Sequence, residues 1–173
     1  MYQLKYRRSD NRIELITDYG EEKLLNDSIS SKPNMSPDGL KAIYLSPYEW
    51  ESITKLYLFD LRCGNNLQLI SDIDEGYMPK EAIWINDSYL ALIIGFGTFS
   101  DGGNVHLYDL TDNQLIKITN WNQRKQAVKL EYNNGILNYE GIEYLNENME
   151  EYREFREKLD VKSSLFYNVN KFY

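Results

Sequence analysis

Met35-Ser-Pro-Asp-Gly-Leu-Lys-Ala-Ile-Tyr-Leu45, followed by Leu56-Tyr-Leu-Phe-Asp-Leu61 and Leu67-Gln-Leu-Ile70, decides how this chain folds, because the pattern returns. Its second copy reads Trp84-Ile-Asn-Asp-Ser-Tyr-Leu-Ala-Leu-Ile-Ile94, then Val105-His-Leu-Tyr-Asp-Leu110, then Ile116-Lys-Ile118. A constant offset of 49 relates Asp38 to Asp87, Ala42 to Ala91, Leu58 to Leu107, Asp60 to Asp109 and Leu61 to Leu110, with no gap. A period of this length marks an array of small units, each of which buries its apolar face only against a neighbour.

Within each copy the period is that of strands. Ser36-Pro37-Asp38-Gly39 is a turn with a mechanism, since Pro presets φ at its second position and Gly tolerates positive φ. Strands are expected over Leu40 to Leu45, Leu56 to Leu61 and Leu67 to Ile70. Their second-copy equivalents are Tyr89 to Gly95, Asn104 to Leu110 and Leu115 to Thr119. Tyr89 to Gly95 is apolar enough to be buried on both faces. Before the first copy, Arg12 to Thr17 and Glu21 to Leu25 flank Asp18-Tyr19-Gly20 as a hairpin. A degraded third copy spans about 126–145, with Ala127 to Tyr132 and Ile136 to Tyr139 around Asn133-Asn134-Gly135. From Glu147 to Leu159, the spacing of Met149, Tyr152, Phe155 and Leu159 predicts a helix that caps the array. Val161 to Tyr173 alternates weakly, as a closing strand would.

The turn, the apolar strand, Leu-Tyr-Leu-Phe-Asp-Leu and the Gly turn together resemble the β-propeller repeat of the TolB and WD-like type. The resemblance implies four-stranded antiparallel blades, with Asp38 and Asp87 ordering the turns and Asp60 and Asp109 ending the third strands. The expected fold is therefore mainly β: antiparallel meander sheets in a short or incomplete propeller-like arrangement, with one C-terminal α-helix. All 173 residues are expected to form one domain.

Composition narrows the partners. A net charge of −8 with pI near 4.8 argues against a phosphate-binding surface and suits attraction to a basic protein. No apolar run is long enough for a membrane span, and the first 14 residues lack a signal-peptide apolar region. Cys63 is the only cysteine, so no internal disulfide forms, and the expected location is cytoplasmic. Small, acidic, cofactor-free chains of this character resemble immunity proteins of bacterial polymorphic or contact-dependent toxin systems. That resemblance implies binding to a cognate toxin, such as a basic nuclease.

No residue set announces a reaction. His106, the single histidine, lies on a strand opposite Tyr57 in the repeat, without an evident nucleophile or orienting acid. Cys63 and His106 have no spacing that suggests a metal site. Gly95 to Gly103 is glycine-rich but leads into a strand, not the helix that a phosphate loop requires. Asp72-Ile-Asp74-Glu75-Gly76 is too short for a calcium loop. No catalytic, metal or cofactor residue is assigned. The strongest binding candidates lie on two equivalent loops, where Tyr48, Glu49, Trp50 and Glu51 match the segment holding Phe96 and Phe99, next to Asp101. Asp72, Asp74 and Glu75 supply further charge. Aromatic anchors with a charged rim have the anatomy of a protein interface, although the same aromatics would also suit the space between sheets. The expected function is a non-enzymatic protein-binding module, an immunity protein; the alternatives are a small-ligand sensor or carboxylate hydrolase, and a subunit of a larger propeller assembly.

Overall fold

A computed structural model describes residues 1–71, 74, 76–98 and 102–162. Among these, fourteen strands form four antiparallel sheets that follow one another along the chain. The first sheet holds β1 (Gln3–Arg7), β2 (Arg12–Ile16) and β3 (Glu22–Leu24). The second holds β4 (Asn34–Met35), β5 (Lys41–Ser46), β6 (Lys55–Asp60) and β7 (Asn66–Ile70). The third holds β8 (Tyr77–Trp84), β9 (Tyr89–Phe96), β10 (Asn104–Asp109) and β11 (Gln114–Lys117). The fourth holds β12 (Lys125–Asn133), β13 (Ile136–Tyr144) and β14 (Tyr152–Asp160). Strand neighbours in space are neighbours in sequence throughout, the arrangement that short hairpin connections favour.

Each join between successive sheets has its own core. Phe59 and Leu61 of the second sheet meet Leu15 of the first. Ile43, Leu45 and Leu56 meet Leu90, Leu92 and Ile94 of the third. Ala91, Ile93 and Leu107 meet Ala127, Leu130 and Leu137 of the fourth. Strand β9 feeds both its neighbours, with even-numbered residues turned one way and odd-numbered residues the other. This explains why its sequence lacks polar alternation.

Polar links reinforce the apolar joins at equivalent positions. The Asp87 carboxylate accepts the Asp38 backbone N–H at 2.8 Å, and the Asp87 carbonyl accepts Lys41 Nζ at 2.9 Å. Trp84 Nε1 donates to the Asn34 carbonyl at 2.9 Å. The two turn aspartates thus do different work. Asp38 orders its own turn, accepting from Ser36 Oγ and the Leu40 N–H. In the second copy Asn86 does this, accepting from the N–H groups of Ser88 and Tyr89, which releases Asp87 to reach the preceding sheet. Asp60 and Asp109 end their strands alike, accepting the N–H two residues on, at Arg62 and Thr111. Replacing Asp87 with alanine is expected to cost about 1 kcal/mol, the net worth of such a bond, and urea unfolding midpoints check it. Loss of the corresponding acceptor Asn86 should cost a similar amount by a different route, through its turn.

The outward faces of the two end sheets carry ion pairs where the inner sheets carry apolar side chains. On the first, Lys5 and Arg7 lie 3.1 and 2.8 Å from the Glu14 carboxylate. On the fourth, Arg156 lies 3.2 Å from Glu140, with Lys129 alongside. Terminal units of an array are expected to present polar outer faces.

The structure corrects one expectation. The helix expected over 147–159 does not form there. Asn146 organises a turn by accepting from Glu150 and Glu151 N–H groups, and Tyr152–Asp160 is β14, paired with β13 from Tyr144↔Tyr152 to Ile136↔Asp160. The spacing of Phe155 and Leu159 misleads because four residues is both about one helical turn and two strand repeats. Phe155, Glu157 and Leu159 are half-buried while Arg156 and Lys158 are exposed, which is period two. The expected hairpin around Asp18-Tyr19-Gly20 is β2 and β3, and β1 extends its sheet by joining β2 over five residue pairs. The closing strand expected at Val161 to Tyr173 lies almost entirely outside the described residues.

Candidate functional site

Strand β8 is an edge of its sheet, with β9 as its one hydrogen-bonded neighbour, and it carries Pro79, a residue that edge strands tolerate. A bulge lies beside it: Pro79 pairs with Ile94 and Glu81 with Ile93, so Lys80 is the extra residue. Strand β12 has the same irregularity, with Val128 extra between Ala127 and Lys129. Bulges re-aim side chains, and both extra residues line one cleft. It has a volume of about 460 Å³, and its walls are Tyr48, Glu49, Trp50, Ser52 and Thr54 from the β5–β6 loop, Pro79 to Glu81, Thr98 and Val128. A smaller cavity of about 220 Å³ shares Tyr48, Lys80 and Glu81 and runs between β4 and β8.

The rim is apolar and exposed. Trp50 is 70% exposed, Tyr48 is 50% and Val128 is 41%. The charged groups in the walls are Glu49, Lys80 and Glu81. Lys80 Nζ donates to the Gly97 carbonyl at 2.6 Å. Glu81 reaches across the sheet join, where its Oε2 accepts the Leu130 N–H at 2.8 Å. Burial pushes the Glu81 carboxyl up from the ordinary carboxylate range, opposed by the Leu130 N–H and by the positive charge of Lys129.

Of the expected interface residues, the structure brings Tyr48, Glu49 and Trp50 together in this cleft. Glu51 is exposed beside it, in a left-handed conformation with φ of 64°. Phe96 lies elsewhere, its ring 5.4 Å from that of Tyr77, lining a separate groove with Trp121, Lys125 and Met149. Asp74 lines a third cavity. Asp72, Glu75, Phe99 and Asp101 lie outside the described residues. Lys80, Glu81, Thr98 and Val128 were missed by sequence reasoning. Pro79 inside an otherwise strand-like run marks a sheet edge or a bulge, which is a signal for Lys80; Glu81, Thr98 and Val128 carry none.

His106 is only 8% exposed and faces the third cavity, of about 440 Å³, together with Asp74, Lys117, Asn120 and Trp121. Its Nδ1 lies 3.1 Å from the Asn104 carbonyl, so that nitrogen carries the proton and Nε2 is the acceptor. Burial, aided by Lys117, pushes its pKa down to about 4, against the pull of the Asn104 carbonyl. Cys63 is exposed. Among the described residues, no group of three or more His, Cys, Asp or Glu side chains is placed to hold a metal ion. No helix among them is long and apolar enough to cross a membrane.

No protein-family model matches this chain, and no curated protein matches it in sequence. Solved structures match its fold. A candidate conserved lipoprotein from Clostridium novyi NT superposes with a TM-score of 0.68 at 21% identity, over 76% of this chain and 87% of that one. The β-propeller domain of the Trilobed protease from Pyrococcus furiosus, which has an open velcro topology, gives 0.54 at 13% identity. The match covers 91% of this chain but 52% of that domain, so this chain spans about half of it. A prolyl endopeptidase gives 0.58 at 12% identity over 92% of this chain and 25% of its own. Identities this low speak to fold alone. The fold is β-propeller-like, as the internal repeat led us to expect.

Proposed function

We propose that this chain is a non-enzymatic protein-binding module, and that its task is to neutralise a cognate bacterial toxin by direct binding, as an immunity protein does. The observation that supports this reading is the exposed aromatic residues Tyr48 and Trp50, set with Val128 around a cleft on an acidic chain. Solvent-facing Trp and Tyr beside a pocket are what binding hot spots are made of. The net charge of −8 would speed encounter with a basic partner. The reading places the chain in the cytoplasm, with no cofactor, no nucleic acid and no membrane among its partners.

Growth rescue tests it. The product of the adjacent reading frame is induced with and without this chain, and the two are then mixed for calorimetry. Rescue and a stoichiometric complex are expected. Trp50→Ala should weaken that complex about 30-fold or more and Tyr48→Ala about tenfold, in keeping with aromatic hot spots. An adjacent product that is harmless, or whose toxicity this chain leaves untouched, counts against the immunity role.

A second reading, a small-ligand sensor, has one observation in its favour: His106 lines a cavity that Asp74, Lys117 and Asn120 also border. A ligand bound there would shift the His106 ring resonances. Membership of a larger propeller has less support, because a further sheet would have to strip water from the ion pairs around Glu14 or Glu140.

A further inference from the structure

Resting on the protein-binding reading above, we propose that the cleft under Tyr48 and Trp50 receives an arginine side chain of the bound protein, with Glu81 as its carboxylate partner. Glu81 makes no ion pair with a described residue. The bond from the Leu130 N–H engages Oε2, which leaves Oε1 and further lone pairs for another donor. A half-buried carboxylate without a counter-ion is costly, and the cost falls when a guanidinium arrives.

The nearby lysines do not fill that role. Lys80 Nζ is turned to the Gly97 carbonyl. The cation that Glu81 senses is Lys129, which lies by Glu140 on the outward face of the fourth sheet. Glu49 adds a second negative charge to the walls. The rim supplies what a guanidinium plane uses and an ammonium uses less well: the indole of Trp50 and the phenol of Tyr48, on which arginine stacks while its edge meets a carboxylate. A cleft of about 460 Å³ is roomy enough for one such side chain. The acidic charge of the whole chain acts in the same direction at longer range.

The test uses the intact chain and three probes: acetyl-arginine amide, acetyl-lysine amide and acetyl-citrulline amide. Citrulline keeps arginine's shape without its charge. Binding is read from the Trp50 indole N–H and Leu130 backbone N–H resonances. Arginine amide should shift both in a saturable way, lysine amide more weakly, and citrulline amide at least tenfold more weakly, as loss of a charge-assisted bond predicts. Glu81→Gln keeps an acceptor for Leu130 and should reduce arginine binding about tenfold while leaving citrulline unchanged. Equal binding of arginine and citrulline by the unaltered chain, or no shift with arginine at tens of millimolar, overturns the proposal.

Against the protein partner the two readings separate. If Trp50→Ala weakens the complex and Glu81→Gln does not, the protein-binding reading stands and the arginine site falls. If neither substitution weakens it, the cleft is not the interface.

Discussion

Gly141→Ala is expected to destabilise the chain by about 3 kcal/mol or more, the upper range for overpacking a site that has no room to relax. Gly141 sits on β13 opposite Ala127 and Phe155. A Cβ there would stand 1.9 Å from the Gln126 carbonyl oxygen and 2.8 Å from the Ala127 Cα. Both obstacles are backbone of β12, beside its bulge, so no side-chain rotation relieves them. The strand pair has to separate or change register, which disturbs Ala127 and the core it shares with Ile93 and Leu107. Gly135 supplies the control. It occupies the β12–β13 turn at φ of 88°, and a Cβ added there would meet nothing within 4 Å. Gly135→Ala therefore bears only left-handed strain, about 1 kcal/mol. Urea unfolding of both variants measures the difference, and equal losses would refute the close-approach argument.

Stability should also fall steeply as the pH drops from about 6.5 to about 4, because of His106. Its pKa is about 6.5 in the unfolded chain and is pushed down to about 4 by burial in the folded one. Between those values the unfolded chain binds a proton that the folded chain excludes, so acidification favours unfolding. The contribution is fully present above pH 6.5 and is lost through this window. Its size is about 3 kcal/mol by linkage, at most. Asp60 titrates lower, since its bond to the Arg62 guanidinium holds it well below the usual carboxylate range, so the two effects occupy different windows. His106→Tyr places in the second copy the residue that the first copy has at Tyr57. Unfolding free energies of the two proteins, compared from pH 7 to 4.5, should diverge as the pH falls, with the variant flatter. Parallel curves would mean that the imidazole is not excluded from protonation in the folded state.

The repeat made much of this fold legible before any coordinates. Strands β5 to β7 and β9 to β11 lie where the two copies place them, because alternation and turn chemistry act over a few residues. Strand β8 was not legible: Pro79 disfavours a strand locally, and its place at the sheet edge, beside the bulge at Lys80, accommodates it. Strand β14 was read as a helix because Phe155 and Leu159 satisfy both periods, and pairing with β13 settles the choice. The candidate site was legible by half. Equivalent loops pointed to Tyr48 and Trp50, whereas Glu81 and Val128 carry no local mark of their place in the cleft.

By itself, the sequence determined how β5 to β7 and β9 to β11 pair, since hairpin register follows from nearby turns and period-two burial. Only the tertiary structure decided which sheets share a cleft. Glu81 meets Leu130, and Asp87 meets Asp38, across 49 residues in each case. Such contacts depend on how whole sheets stack to bury β9 on both faces, a condition that no short stretch of chain can satisfy or display alone.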